Sequence, residues 1–350
     1  MERADKDLAF MLRYENVAWY EDGKVRILDR RIYPTDTVFV TCNTHEEVAK
    51  AIKDMVTQSA GPYTAAGMGM ALAAYECRDL SEEKQKEYLK DAAYKLGNAR
   101  PTTANRMNQV VNRCLDVAYE AMESGKKVDE AIFEHTVDSM NKRYSRIGIV
   151  AEYLVDMFPD NGNIMTQCFG ETIVGMMLKE AKKRNKNIKL FCPETRPYLQ
   201  GARLTASVAY DQGFDTTVIT DNMPAFTMQT KGIDLFTSAA DSICMDGHIV
   251  NKIGTLQIAI AAKYSGVPYF VTGIPDRDYK TISQVKIEER DPQQVLEFRG
   301  IKTTMEGVKG YYPSFDITPP HLVSGVVTDK GILTPYDLER YFDTEVEDYY

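Results

Sequence analysis

Glu194-Thr195-Arg196-Pro197-Tyr198-Leu199-Gln200-Gly201-Ala202-Arg203-Leu204-Thr205 leaves an apolar, strand-like stretch and opens a helix-like one. Further along, Asn251-Lys252-Ile253-Gly254-Thr255 repeats the arrangement. Strand-to-helix turns of this kind are where parallel α/β proteins gather the groups that hold anions and do chemistry. The two segments are therefore expected at one edge of one sheet, facing one cleft.

The surrounding sequence supports that reading. From residue 159 on, short apolar strands are expected at Ile164–Thr166, Ile188–Cys192, Thr217–Thr220, Leu235–Ser238 and Tyr269–Thr272. Amphipathic helical stretches separate most of them, at Thr172–Lys183, Leu204–Gln212, Met223–Thr230 and Leu256–Tyr264, which is the grammar of a doubly wound, Rossmann-like parallel sheet. Before Pro159 the pattern is different. Strands at Met11–Tyr14, Val17–Tyr20 and Lys24–Leu28, with Glu21-Asp22-Gly23 as a turn, suggest a small β cap. Helical spacing then takes over, as in Met107, Val110, Val111, Cys114, Val117, Ala118 and Ala121, with Thr44 as an N-cap and Pro101 suited to a first helical turn. The fold class is thus α/β, with an N-terminal β cap plus helical domain over 1–158 and a Rossmann-like α/β domain over 159–350, where any catalytic groups are expected. The acidic segment from Asp343 to Tyr350 is expected to fray.

Composition narrows the function. Of 350 residues, 44% are hydrophobic and 27% charged, which is globular, and the formal net charge of -9 disfavours a nucleic-acid partner. No apolar run approaches the roughly 20 residues of a membrane span, and the charged start lacks a signal-peptide core, so no membrane partner and a cytoplasmic location are expected. The 6 cysteines are scattered singly, without Cys-x-x-Cys spacing, and the 4 histidines are dispersed. Reduced thiols are expected, with no metal and no cofactor, and a His-based triad has little support.

Several positions could carry chemistry. Cys168 follows the first strand of the sheet and precedes a helix, whose N-terminus lowers a thiol pKa, while the nearby Glu171 would oppose ionisation; without other context a lone cysteine reads rather as a small buried hydrophobe. Glu194–Arg203 offers arginine forks, the Gln200 amide and a close backbone approach at Gly201, or else a Glu194–Arg196 ion pair that only holds the loop. Asp221 reads as a helix N-cap. Asp241 follows a strand into a loop, where an apolar strand-end pocket would raise its pKa as a general acid requires; bonding to loop amides is the other reading. Asn251 to Thr255 supply an amide, a cation and helix-start N–H groups, a less specific phosphate cradle than a full P-loop.

Together these segments resemble the methylthioribose-1-phosphate isomerase family, itself related to regulatory subunits of the initiation-factor guanine-exchange complex and to ribose-1,5-bisphosphate isomerases. The resemblance spans nearly the whole chain: Leu12-Arg13-Tyr14 read as a strand, Glu46–Val56, Ala99-Arg100-Pro101-Thr102, Glu194–Thr205, Thr220-Asp221-Asn222-Met223, Asn251–Thr255, Ile287–Pro292 and Phe315–Pro320. It implies a catalytic cysteine at Cys168 and a catalytic aspartate at Asp241. It also implies sugar-phosphate contacts at Gln58, Ser59, Ala60, Arg100, Gln200, Asn251 and Lys252. The implied reaction converts an aldose 1-phosphate to a ketose 1-phosphate without metal or nucleotide, in a homodimer. Asp241 would protonate the ring oxygen, and Cys168 would assist hydrogen transfer from C2 to C1.

This chain also departs from the pattern. Gln58-Ser59-Ala60-Gly61-Pro62 stands where the family has Arg-Gly-Ala-Pro, Cys168-Phe169 where it has Cys-Asn, and Ala239-Ala240-Asp241-Ser242 where it has Gly-Ala-Asp-Arg. Each change removes polarity or charge from a site built for a phosphorylated sugar. The sugar is therefore expected to be 5-methylthioribose 1-phosphate or a relative such as 5-deoxyribose 1-phosphate. A non-catalytic sensing or scaffold protein, like the initiation-factor relatives, is the alternative.

Overall fold

The structure is a computed structural model that describes residues 3–100 and 104–343. Pro101 and the acidic segment from residue 344 on lie outside the described residues. The chain forms two compact units that divide between Ser145 and Arg146. That point lies inside a long helix, upstream of the change of pattern read at residue 159.

In the first unit, the expected strand over Met11–Tyr14 is absent. Phe10–Leu12 is a 3-10 turn and Tyr14–Val17 the short helix α1. The reason is spacing: Met11, Tyr14 and Val17 recur every third residue and are all fully buried, which a turn of helix achieves and an alternating strand does not. β1 (Ala18–Glu21), β2 (Lys24–Leu28) and β3 (Phe39–Cys42) then form a three-stranded antiparallel sheet, the expected cap. Five helices follow: α2 (His45–Lys53), α3 (Gly61–Glu76), α4 (Glu82–Gly97), α5 (Ala104–Glu123) and α6 (Val128–Asp156). Thr44 caps α2, its hydroxyl accepting the Glu47 amide at 3.2 Å. On α5, Met107, Val111, Cys114, Ala118 and Ala121 are buried, as their spacing required.

The second unit is built on a seven-stranded sheet. Its elements are β4 (Asn161–Met165), α7 (Thr172–Lys183), β5 (Asn187–Pro193), α8 (Ala206–Asp211), β6 (Asp215–Ile219), α9 (Pro224–Lys231), β7 (Ile233–Ala239), β8 (Ser242–Ile243), β9 (Ile249–Lys252), α10 (Thr255–Ser265), β10 (Tyr269–Thr272), α11 (Gln293–Leu296), β11 (Glu297–Phe298), β12 (Ile301–Lys302), β13 (Phe315–Thr318), β14 (Gly325–Thr328) and β15 (Gly331–Leu333). The spatial order is β15-β14-β10-β7-β4-β5-β6. Every neighbour pair is parallel except β14 with β15.

Winding starts at β4, runs outward through β5 and β6, then returns to β7 and runs the other way. This is the doubly wound order, whose switch point lies between β4 and β7. Right-handed crossovers on the two arms put helices on opposite faces, and α7 accordingly packs with α8 while α9 packs with α10. Met165, Phe236, Ile258, Tyr269, Val271 and Val326 form the heart of the core, with the Phe236 and Tyr269 rings stacked at 4.4 Å. β9 is not in this sheet. It pairs antiparallel with β8 and β13 in a separate three-stranded sheet, so the two quoted turns do not leave the same sheet.

Candidate active site

The switch point gathers the chemistry of the second unit. β4 and β7 are hydrogen-bonded neighbours, with Met165 opposite Phe236. Cys168 lies just beyond the carboxyl end of β4, and Asp241 just beyond that of β7. Crevices at such reversals are where open α/β sheets bind ligands.

Cys168 is partly buried and its thiol is pushed up to about 11, chiefly by burial. The Lys252 ammonium pulls the other way, while the Asp241 and Asp221 carboxylates add to the rise. These interactions tie Cys168, Asp241 and Lys252 to one locality. The helix-start effect expected to lower this pKa is outweighed, because α7 begins only at Thr172 and desolvation of a thiolate costs more than a helix terminus returns. Cys168 is a neutral thiol near neutral pH. Glu171 precedes the helix fully buried, without side-chain capping.

Asp241 departs from its expected setting. Its side chain is exposed, not enclosed in an apolar pocket, because the chain turns directly from β7 toward β8. Its amide donates to the Val250 carbonyl at 2.9 Å.

The loop after β5 is held by a residue read as a helix cap. Asp221 does not cap α9; its carboxylate accepts the amides of Thr195 (2.8 Å) and Arg196 (2.7 Å). No ion pair joins Glu194 and Arg196 among the described residues. Arg196 instead donates to the Glu297 carbonyl at 2.9 Å and lies over the Phe298 ring. Glu194 is raised above its ordinary pKa, first by burial and then by Asp221. Gly201 is required here: a Cβ would stand 1.8 Å from the Pro193 carbonyl oxygen, and a π-helical turn, Gly201–Thr205, starts at this point. Gln200 is 6% exposed, and its side-chain oxygen has no partner. Cys168, Glu171, Thr195 and Leu199 all have φ between +50° and +63°, so backbone strain concentrates in the loops leaving β4 and β5.

The expected cradle at Asn251–Thr255 is already filled. Asp316, from β13, accepts the Gly254 amide at 2.7 Å and the Leu256 amide at 3.1 Å, occupying the start of α10. Its carboxyl is pushed up to about 6 by burial, against the opposing pull of those amides and of Lys252. Asn251 is committed as well, donating to the Thr255 hydroxyl at 3.0 Å. Lys252, 5% exposed, lies over the Phe315 ring.

In the first unit, Gln58, Ser59 and Ala60 form the turn into α3. Ser59 has φ +59°, and Ala60 occupies the N-cap position without a side-chain cap. Gln58 is 3% exposed with its side-chain oxygen unpartnered, and the fully buried Arg30 donates to its carbonyl at 2.8 Å. The guanidinium that meets this turn comes from the segment between β2 and β3 and holds its backbone. Arg100, half-buried, follows α4. His45, Glu46 and Glu76 also come together, but the His45–Glu76 bond (2.6 Å) and the Lys95–Glu46 pair (3.0 Å) account for that cluster.

Sequence reading gave no role to Asp316 or Arg290, although both fall in segments that carry the resemblance, and missed Tyr312, which lies in a stretch without helical or strand periodicity. Tyr312 is 3% exposed and electrostatically linked to Cys168.

Comparison with known proteins agrees with this fold. Residues 56–335 match the model of the initiation factor 2 subunit family. The chain is 36% identical to a putative methylthioribose-1-phosphate isomerase of Methanocaldococcus jannaschii over 91% of this chain and 95% of that one. It is 33% identical to a 5-deoxyribose 1-phosphate isomerase of Clostridium botulinum, over 91% and 95%. Among solved structures, 5-methylthioribose 1-phosphate isomerase from Pyrococcus horikoshii superposes with a TM-score of 0.83 at 29% identity, covering 96% of this chain and 99% of that one. Translation initiation factor eIF-2B, subunit delta, from A. fulgidus superposes with a TM-score of 0.80 at 29% identity, covering 91% and 96%. The chain belongs to the initiation factor 2 subunit family and groups there with its sugar-1-phosphate isomerases.

Proposed function

We propose that this protein is an aldose–ketose isomerase that converts 5-methylthioribose 1-phosphate, or a 5-deoxypentose 1-phosphate close to it, into the corresponding ribulose 1-phosphate. The observation that carries the reading is the pairing of Cys168 and Asp241 beyond adjacent parallel strands, where the winding of the sheet reverses. Phosphorylation at C1 blocks simple ring opening. An acid must therefore protonate the ring oxygen, and Asp241 is given that role, its exposed carboxyl needing the bound sugar to enclose it. The hydrogen at C2 must reach C1, and Cys168 acts in that transfer. As a neutral thiol it offers a hydrogen-bond donor, and Lys252 beside it favours the thiolate when a proton has to leave. Lys252 is assigned to the phosphate as a cation, and Gln200, whose unpartnered buried oxygen can accept from a hydroxyl, to the sugar.

Incubating the purified protein with each sugar 1-phosphate and following the ketose by NMR tests this reading. Turnover of one sugar, reduced on the order of a hundredfold or more in Cys168→Ser and in Asp241→Asn, is expected. No turnover of either, under conditions where one of the curated relatives works, would retire it. The likeness to the eIF-2B subunit keeps a non-catalytic reading in view. Tight sugar-phosphate binding with no chemistry, unchanged in both variants, would favour that second reading. The homodimer is likewise a proposal, checked by sedimentation velocity.

A further inference from the structure

A polar face beside Cys168 is left unsatisfied by the protein itself. Residues 288–290 and 312–314 run antiparallel: the Arg290 amide donates to the Tyr312 carbonyl at 3.0 Å, and the Ser314 amide to the Glu288 carbonyl at 2.8 Å. Arg290 and Tyr312 are thus opposite each other, and side chains two residues apart along each strand share that face. The same stretch borders the turn after Lys252, since the Ile253 amide donates to the Ser314 carbonyl at 3.1 Å.

Glu288 takes one edge of the Arg290 guanidinium, accepting Nε at 3.0 Å and Nη2 at 3.5 Å. Nη1, the Tyr312 hydroxyl and the Gln294 side-chain oxygen are buried with no well-formed hydrogen bond, the guanidinium and the phenol having only each other's weak contact. The phenol is close enough to feel both the guanidinium and the Cys168 thiol. Tyr198 holds the group in place, its ring 5.4 Å under the guanidinium and its hydroxyl accepting Gln294 Nε2 at 3.2 Å. Buried polar groups are normally paired, so several left open on one face point to an occupant.

We propose that Arg290 and Tyr312 form the subsite that recognises a ring hydroxyl of the sugar. The chemistry selects that class. Nη1 only donates, the phenol both donates and accepts, and Glu288 already neutralises the guanidinium, so a neutral hydroxyl complements the site better than a second anionic group. The inference rests on the isomerase reading of the Cys168 site and specifies which substrate atoms that site reads.

Calorimetric binding of ribose 1-phosphate, 2-deoxyribose 1-phosphate and 3-deoxyribose 1-phosphate to the full chain tests it, with folding followed by circular dichroism. Wild type should bind one deoxy sugar roughly tenfold or more weakly than the ribose compound. Tyr312→Phe, which keeps the ring, should shrink that gap to about threefold or less, and Arg290→Lys should also narrow it. Equal binding of all three sugars by wild type, or an unchanged gap in both variants, would overturn the subsite and leave the isomerase reading standing. Failure of wild type to bind any of the three would overturn the subsite, while the isomerase reading stands or falls separately on turnover of its own 5-methylthio or 5-deoxy sugar.

Discussion

The turn after β5 keeps a buried amide oxygen without a partner, at Gln200, whereas the turn after β9 has its helix start filled by the Asp316 carboxylate. As sequence the two look alike, each a strand end with a cation, an amide and a glycine before a helix. They differ because distant carboxylates act on them in opposite ways. Asp221 ties down the backbone of the first turn and leaves the Gln200 side-chain oxygen unpartnered; Asp316 consumes the donors of the second. A helix start therefore offers an anion site only if nothing elsewhere in the fold has already taken its N–H groups.

That contrast can be broken by exchanging its causes. The largest effect is expected for Asp221→Ala, which removes the acceptor of two amides in a strained loop. Urea unfolding should show a loss of about 3 kcal/mol, since hydrogen bonds to charged groups are worth about 1.5–3 kcal/mol each and this carboxylate is half-buried. A loss below about 0.5 kcal/mol would mean that the loop is held by something else.

Asp316→Ala should cost less, about 1–2 kcal/mol, as the loss of a helix cap. Its pH dependence sharpens the comparison. Burial raises the folded pKa of Asp316 to about 6, above the roughly 3.9 of an unfolded aspartate. Its contribution to stability is therefore fully present below about pH 4 and is lost as pH rises through about 6. The urea midpoint of wild type, measured relative to Asp316→Asn, should fall between pH 4 and pH 7; a rise would reverse the sign assigned to this group.

Gln200→Leu should change stability by only about 0.5 kcal/mol, because the oxygen it removes has no protein partner, yet raise KM for the sugar phosphate roughly tenfold. Smallest in scale is the reactivity of Cys168. Alkylation by iodoacetamide should be slow at neutral pH and climb toward pH 11, and Lys252→Met should slow it further by removing the cation that favours the thiolate.

Much of the second unit could be read before its coordinates. The helix Thr172–Lys183 and the strand Tyr269–Thr272 were expected at their observed bounds, because each apolar run has one period and clear stops. Cys168 and Asp241 do follow strands as read, but the lowered thiol pKa and the apolar pocket expected for them are not what the structure has. What escaped was carried by non-local pairing. Nothing in Phe315-Asp316-Ile317-Thr318 says that its aspartate will close the start of α10, nor that β9 will leave the main sheet to pair with β13. The N-terminal error was one of period: Met11, Leu12 and Tyr14 suit a strand by composition, and only the burial of every third residue reveals the turn.

The central claim is that Cys168 and Asp241 act together on one sugar. Measuring kcat/KM for wild type, Cys168→Ser, Asp241→Asn and the double variant tests it most directly. If the two serve one reaction, the double variant should lose no more than about as much as the worse single one. Losses that simply multiply, or activity within about twofold of wild type in either single variant, would contradict the account.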